Sequence, residues 1–259
     1  TDRKLEQLLL VDVARNIRQE TVQRAGFNAS GVSQNNRLVE RHDSPHGAYW
    51  KSYDFAGNTG QKNLFQHPLG PEGTLPDNSG ARPFVHDGGE IIFSLPNGLQ
   101  AYLLVDDRGN RIDRGPVEIV SDRRQADRMV INGISCMSGN YAGIIRKSDE
   151  IRDHILRNRQ AFPEADDVLA QYPPAEVMQD LMSQDAQRFR RAVEQTGSGV
   201  SESGEPVVNM AKRFQQDLDV DVAAAEAGMP PDEFMSRIEQ LLRLRRILGQ
   251  LLFPGGTIK

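Results

Sequence analysis

The chain has one cysteine, no long apolar run and no excess of positive charge, and each absence excludes a class of protein. Because Cys136 is the only cysteine, no internal disulfide forms. No stretch approaches the run of about 18 apolar residues that a membrane-spanning helix needs. The formal net charge of -5 argues against a nucleic-acid partner, since phosphate binding favours a basic surface. No internal repeat with a period of roughly 20 to 50 residues is present, which excludes a repeat architecture.

What remains is the composition of an ordinary globular protein. Hydrophobic residues make up 38% and charged residues 26% of the 259 positions, which suffices for one large domain or two smaller ones, each with its own core. The chain begins at Thr1 rather than at Met, so we interpret it as processed or partial, with any signal peptide removed.

The hydrophobic pattern predicts an α+β protein whose helices and strands are segregated along the chain. Leu5, Leu9, Val13 and Ile17 recur every four residues and predict an N-terminal helix over residues 4–20. Residues 40–89 predict an irregular, loop-rich region, because the stretch from Gly57 to Gly89 is dense in Gly and Pro. Residues 90–120 predict a short antiparallel β meander of three strands, at 90–95, 99–105 and 117–120, with a further short strand at 130–134.

The pattern after Cys136 predicts helices. Ser148 is the predicted N-cap of the first one, and apolar positions at helical spacing continue over 178–193, 207–214, 220–227 and from Pro231 to the end. We therefore divide the chain into residues 1–135, holding the helix, loop-rich and meander parts, and a helical region over 136–259. A single continuous domain is the alternative.

The segment Cys136-Met137-Ser138-Gly139-Asn140 matches part of a covalent haem-attachment motif, Cys-x-x-Cys-His. In that motif two thiols bond the porphyrin vinyl groups and the His is an axial ligand of the iron. Here Gly139 stands at the second Cys position and Asn140 at the His position. Cys136, Met137, Gly139 and Asn140 are thus the candidate cofactor-binding residues.

The chain resembles a family of secreted, single-haem c-type cytochrome-like proteins of planctomycetes and related bacteria. The resemblance covers most of residues 1–160, and the helical remainder more loosely. It is carried by the segments AYWKSYDF (48–55), GGEIIFSLPNGLQ (88–100), NRIDRGP (110–116) and GISCMS (133–138). It implies haem c as cofactor, electron transfer as function, a redox partner protein and a periplasmic or secreted location.

The departures at 139 and 140 change what the motif can do. At most one thioether forms, to Cys136, and the axial ligand must come from elsewhere in the chain, because Asn is a poor iron ligand. His67, His154 and His42 are the candidate iron ligands that we retain. The wider set also holds His46, His86, Met137, Met178, Met182 and Met210. Loss of haem, a different haem geometry and a sequence error at these two positions remain open.

Two other chemistries are weaker alternatives. His42-Asp43-x-x-His46 places two imidazoles and a carboxylate close together, as in a divalent metal site, although Pro45 disfavours the helix that such sites often use. A polar turn explains the same residues more simply. Cys136 paired with a His would form a nucleophilic site, but no neighbouring motif supports it.

The final predicted helix carries Arg243, Arg245 and Arg246 among leucines. A basic amphipathic helix of this kind contacts a membrane or a partner, or forms the solvated face of a core; we favour the solvated face. The sequence as a whole predicts an exported haem protein in electron transfer. The alternatives are a haemless binding or structural subunit of a larger extracytoplasmic assembly, and an enzyme with a metal or Cys site.

Overall fold

The computed structural model describes residues 1–31, 33–75, 80–125, 127–201, 203 and 205–259. Its strands are β1 (Gln23–Phe27), β2 (Arg37–Ser44), β3 (Gly47–Asp54), β4 (Gly88–Ser94), β5 (Gln100–Asp106), β6 (Arg114–Gly115) and β7 (Val130–Ile131). Its helices are α1 (Asp2–Leu8), α2 (Val13–Arg18), α3 (Ile134–Gly139), α4 (Ile151–Arg157), α5 (Ala165–Gln171), α6 (Ala175–Gln195), α7 (Pro206–Gln215), α8 (Val220–Glu226), α9 (Pro231–Gln240) and α10 (Leu242–Leu248).

Strands β1 to β5 form one antiparallel sheet in chain order, and β6 pairs with β7 in a separate two-stranded sheet. The β2–β3 hairpin closes at Ser44 and Gly47, and the β4–β5 hairpin at Ser94 and Gln100. Gly98 in the second turn has φ 85°, a conformation that glycine adopts without strain. Helices lie apart from the sheet along the chain, so the α+β prediction is confirmed.

The N-terminal helix is two helices rather than one. The chain leaves the helical conformation at Leu10, whose φ is 54°, and Asp12 then accepts a hydrogen bond from the Arg15 amide to cap α2. The predicted apolar stripe survives this break, because Leu9, Val13 and Ile17 are all buried in one cluster.

Residues 40–89 contain two long strands where the sequence predicts irregular structure. β2 and β3 pair over eight residues, from Arg37↔Asp54 to Ser44↔Gly47. β3 is buried along nearly its whole length, so it lacks the alternation of apolar and polar residues that marks a half-exposed strand. β2 does alternate, with one face mostly buried and the other mostly half-buried or exposed. Buried charged residues such as Glu40 and Lys51 interrupt the apolar run as well.

The predicted third strand of the meander, residues 117–120, is a turn. Pro116 presents its carbonyl to the amides of Ile119 and Val120, which closes a turn instead of a ladder. The short strand predicted at 130–134 is present as β7. The N-cap residue of α4 is Glu150, not the predicted Ser148. The carboxylate of the preceding residue, Asp149, accepts from the first-turn amides of Ile151 and Arg152.

Side chains alternate along each strand, so the main sheet presents two faces, and helices pack against both of them. On the α2 face, Tyr49, Ile91 and Val105 pack against α2 and the residues around it. On the α6 face, Trp50 and Ile92 pack against Met178 and Met182 of α6. Met178 and Met182, two of the candidate iron ligands, are therefore core residues.

The chain divides into two compact units, Thr1–Pro206 and Val207–Lys259. Unit 1 contains the whole sheet and the clusters just described. Unit 2 has a core of its own, formed by Ala223, Ala224, Phe234, Ile238 and Leu251. The boundary predicted at 135/136 falls inside unit 1, within α3. None of the helices in the described part of the chain combines the length and hydropathy that a bilayer crossing needs.

Candidate functional site

A cavity of about 710 Å³ lies in unit 1 between the α6 face of the sheet and the segment 112–147. Strands β1 to β5 provide one wall, and the connection from β5 through α3 provides the other. The walls are mainly apolar and include Phe27, Trp50, Ile92, Leu104, Val120 and Ile144. The cavity is thus built from parts of the chain that lie far apart in sequence.

The floor of the cavity is polar and centres on Arg37. Its Nε lies 2.9 Å from Asp54 Oδ1, and its Nη2 donates to Ser52 Oγ at 3.0 Å and lies 3.4 Å from Glu90 Oε2. Nη1 of Arg37 has no hydrogen-bond partner among the described residues. Glu90 keeps 16% of its side-chain surface exposed, against 5% for Asp54. Arg37 and Glu90 therefore offer one donor and one acceptor to a bound molecule.

The electrostatics of the floor follow from its burial. Burial raises the pKa of Asp54, and the nearby Glu90 carboxylate raises it further, against the opposing attraction of Arg37. Burial lowers the pKa of Arg37, but attraction to Asp54 and Glu90 outweighs it, so the pKa is raised and the guanidinium stays charged.

A break in the sheet shapes this floor. Ser52 Oγ accepts from the Glu90 amide at 2.8 Å, so a side-chain oxygen takes the place of a backbone acceptor between β3 and β4. Gly89 lies at the same point, where a Cβ would stand 2.0 Å from the Ser52 carbonyl oxygen. Only glycine permits this close approach of the two strands.

Cys136 also lines the cavity, on helix α3. Burial strongly raises the pKa of its thiol, and the charge of the nearby Glu90 raises it further. The thiolate is the nucleophilic form of cysteine, so this environment disfavours nucleophilic chemistry. Among the described residues that line the cavity there is no histidine to act as the base of a Cys–His pair.

The residues of the partial haem motif have structural roles. Asn140 donates from Nδ2 to the Cys136 carbonyl at 3.0 Å and is buried, so it closes the end of α3. Gly139 faces open space, since a Cβ there meets nothing within 4 Å. Met137 is half-buried. No described histidine lines this cavity and the Asn140 side chain is already engaged, so neither supplies an axial iron ligand here. The sulfur donors among the described lining residues are Cys136 and Met129.

The three candidate histidine ligands lie apart from this cavity. His42 is buried on the α2 face, with its Nε2 3.2 Å from Glu40 Oε1 and its Nδ1 3.1 Å from the Asn16 amide. His154 packs edge-on against the rings of Phe65 and Phe162. His67 is half-buried, and burial lowers its pKa.

The alternative metal site is not assembled either. Asp43 is exposed and paired with Arg41, while His42 points to the opposite face of β2. In the described part of the chain no group of three or more His, Cys, Asp or Glu side chains is arranged to hold a metal ion.

Sequence reasoning identified Cys136, Gly139 and Asn140 of the cavity but missed Arg37, Asp54 and Glu90. The signal available for the last three is weak. Asp54 falls in the region 40–89 that was predicted to be irregular, and Arg37 lies just before it, where no strand was predicted. Glu90 looks like an ordinary polar residue at the start of a strand. In the sequence, Trp50 stood out only as part of the segment 48–55 that carries the family resemblance.

Comparison with known proteins gives no family for this chain: no family model, curated protein or solved structure matches it.

Proposed function

We propose that unit 1 is a binding domain for a small, mostly apolar molecule with one neutral polar end. The observation that carries this proposal is the cavity of about 710 Å³, with apolar walls and an Arg37–Glu90 floor. Pockets for small molecules have volumes of about 300–1,000 Å³, apolar walls and a few convergent polar groups. A binding role without haem was the alternative to electron transfer in the sequence interpretation.

The walls favour an apolar body in the ligand. Each square ångström of apolar surface moved from water into such a cavity contributes about 25 cal/mol, so aliphatic or aromatic groups drive binding. Trp50 belongs to this wall, and its indole Nε1 is already engaged with Asp185 Oδ2 at 3.0 Å. The ring therefore presents an apolar surface rather than a free donor.

The polar floor of the cavity determines which polar group the ligand can carry at its end. An acceptor on the ligand takes the N–H of Arg37 Nη1, and a donor on the ligand meets the Glu90 carboxylate. A primary amide supplies both in adjacent positions. A carboxylate is disfavoured because it approaches Asp54 and Glu90, and an ammonium is disfavoured because it leaves water for an apolar cavity beside a guanidinium.

Calorimetric titration with three probes that share an octyl-type chain tests this selection. Octanamide is expected to bind more tightly than octanoate by at least about tenfold, the equivalent of one hydrogen bond to a charged group. Arg37→Met removes the donor and is expected to weaken octanamide binding by at least about tenfold. Octylamine serves as the cationic probe.

Arg41 provides the matched control. Arg41 and Arg37 both lie on β2 with 11% of the side chain exposed, but Arg41 is paired with Asp185 and does not line the cavity. Arg41→Met should leave octanamide affinity unchanged. Glu90→Gln keeps the shape of the floor but removes a negative charge, so it should narrow the difference in affinity between octanamide and octanoate.

Equal affinities of all three probes, or equal loss of binding in Arg37→Met and Arg41→Met, would contradict the proposed floor. Absence of octanamide binding together with a Soret absorbance band that survives acid-acetone extraction would favour the predicted haem protein instead, because such a band marks covalently held haem.

A further inference from the structure

The end of unit 2 exposes large apolar side chains that its core does not use. Leu242 is 83%, Ile247 63% and Phe253 70% exposed. On the other side of α10, Leu248 packs against the core of unit 2. These three side chains lie within twelve positions of one another in sequence, and Ile247 and Phe253 line the same groove.

Positive charge surrounds these apolar residues. Arg243, Arg245 and Arg246 are exposed, and none is paired with a carboxylate among the described residues. Lys259 lines a groove together with Arg245, Arg246, Ile247 and Phe253. Among the described residues, Glu239 is the one carboxylate side chain that also lines this groove. Residues 240–259 contain no Asp or Glu at all.

The helix brings the two kinds of residue to one side. At about 100° per residue, Leu242, Arg243, Arg246 and Ile247 occupy one face of α10, with the two arginines between the two apolar side chains. Leu244 and Leu248 are only half exposed and lie on the opposite side. The exposed face of α10 thus combines two unpaired arginines, which can meet anionic headgroups, with two apolar side chains, which gain from entering the interfacial region of a bilayer.

We propose that this surface of unit 2, formed by Leu242, Arg243, Arg246, Ile247 and Phe253, docks on an anionic lipid surface. The arginines meet lipid phosphates and carboxylates, and the apolar side chains enter the region between headgroups and acyl chains. Charge complementarity supports a bilayer as the occupant, because the surface combines unpaired positive charge with apolar groups that gain from leaving water. The inference is independent of the cavity in unit 1.

Cosedimentation of the full chain with vesicles tests this proposal. The chain is expected to bind vesicles of equal parts phosphatidylcholine and phosphatidylserine, and to bind phosphatidylcholine vesicles at least about tenfold more weakly. A triple variant, Arg243→Gln, Arg245→Gln and Arg246→Gln, should lose at least about tenfold in affinity for the anionic vesicles. Leu242→Ser with Ile247→Ser should weaken the part of the binding that persists in high salt.

The matched control removes the same charge elsewhere. Arg3, Arg15 and Arg18 are exposed arginines of unit 1, and their replacement by Gln should leave vesicle binding unchanged. Circular dichroism and thermal melting establish that each variant is folded. No binding to anionic vesicles, equal binding to both vesicle types, or an equal loss in the control variant would overturn the proposal. Binding of polyglutamate as strong as that of the vesicles would replace the lipid with an acidic polypeptide.

Discussion

Arg24 and Glu40 are charged residues with no exposed side-chain surface, on the α2 face of the sheet. Arg24 donates to Glu40 Oε2, to the Gln171 side chain at 2.8 Å and to the Gly70 carbonyl at 2.7 Å. Tyr53 donates its hydroxyl to Glu40 Oε1 at 2.8 Å. Such a network is tolerated in a core because nearly every polar atom has a partner.

This network makes the stability of unit 1 depend on pH. Burial raises the pKa of Glu40, but attraction to Arg24 and the hydrogen bond with His42 outweigh it and lower the pKa from 4.5 to about 2. The ionised carboxylate therefore stabilises the fold fully above pH 4.5, and this contribution is lost as the pH falls towards 2.

Glu40→Gln is expected to lower the free energy of unfolding by about 3–5 kcal/mol at neutral pH, because Arg24 is left buried without its counter-charge. The difference from the wild type should shrink as the pH falls from 4.5 to about 2, since the wild-type carboxylate then takes up a proton. Urea unfolding over this pH range measures both effects.

The control for this prediction is Arg111→Met, which breaks an ion pair exposed to 64% and 84% and should cost less than about 1 kcal/mol. If the free energies of unfolding of the wild type and Glu40→Gln differ by a constant amount between pH 7 and pH 2, the lowered pKa of Glu40 is contradicted.

At the scale of elements, the contact between β3 and β4 positions the floor of the cavity. Their ladder pairs Tyr49 to Lys51 with Ile91 to Phe93 and resumes at Asp54 and Gly88. The interruption is where Ser52 bonds the Glu90 amide and where Gly89 approaches the Ser52 carbonyl. Arg37 of β2 reaches Asp54 and Glu90 from the next strand, so three strands supply the charged groups.

Gly89→Ala should destabilise unit 1 by about 1–3 kcal/mol, because its Cβ would overlap the Ser52 carbonyl oxygen and push β3 and β4 apart. The same shift should weaken octanamide binding. Gly139→Ala is the matched control: its Cβ meets open space within α3, and Ala is a better helix former by up to about 1 kcal/mol. Urea unfolding that ranks the two variants in the opposite order would contradict this geometry.

At the scale of the whole chain, each of the two units has what a folded domain requires. Unit 1 holds three buried clusters and the cavity, and unit 2 holds one cluster of its own. Every described residue that lines the cavity belongs to unit 1.

A chain of residues 1–206 is therefore expected to fold and to bind octanamide within about twofold of the full chain, since sites without shared partners act independently. Calorimetry and a cooperative thermal transition measure this outcome. A chain of residues 1–174 is the control, because it lacks α6 and with it Met178 and Met182 of the core. Loss of folding in both chains would show that unit 1 depends on unit 2.

Elements fixed by interactions between residues close in sequence could be predicted from the sequence, whereas elements fixed by contacts between distant residues could not. Helix α6 was predictable from the helical spacing of its apolar residues, and the β4–β5 hairpin from its Asn-Gly turn. Both signals act over a few residues. Strand β3 was missed because both of its faces are buried. Strand β2 was missed because its buried face carries Glu40 and His42, which pair inside the fold. In sequence these residues resemble a polar loop.

The sequence by itself determined the α+β class, the absence of an internal disulfide and most of the helices, because composition and local spacing suffice for these properties. Only the tertiary structure decided which residues form the candidate site. Arg37, Asp54, Glu90 and Cys136 span a hundred positions and meet only when the strands pair and α3 packs on the sheet. The same packing occupies Asn140 as a helix cap and leaves the candidate histidines elsewhere, which a linear motif cannot reveal.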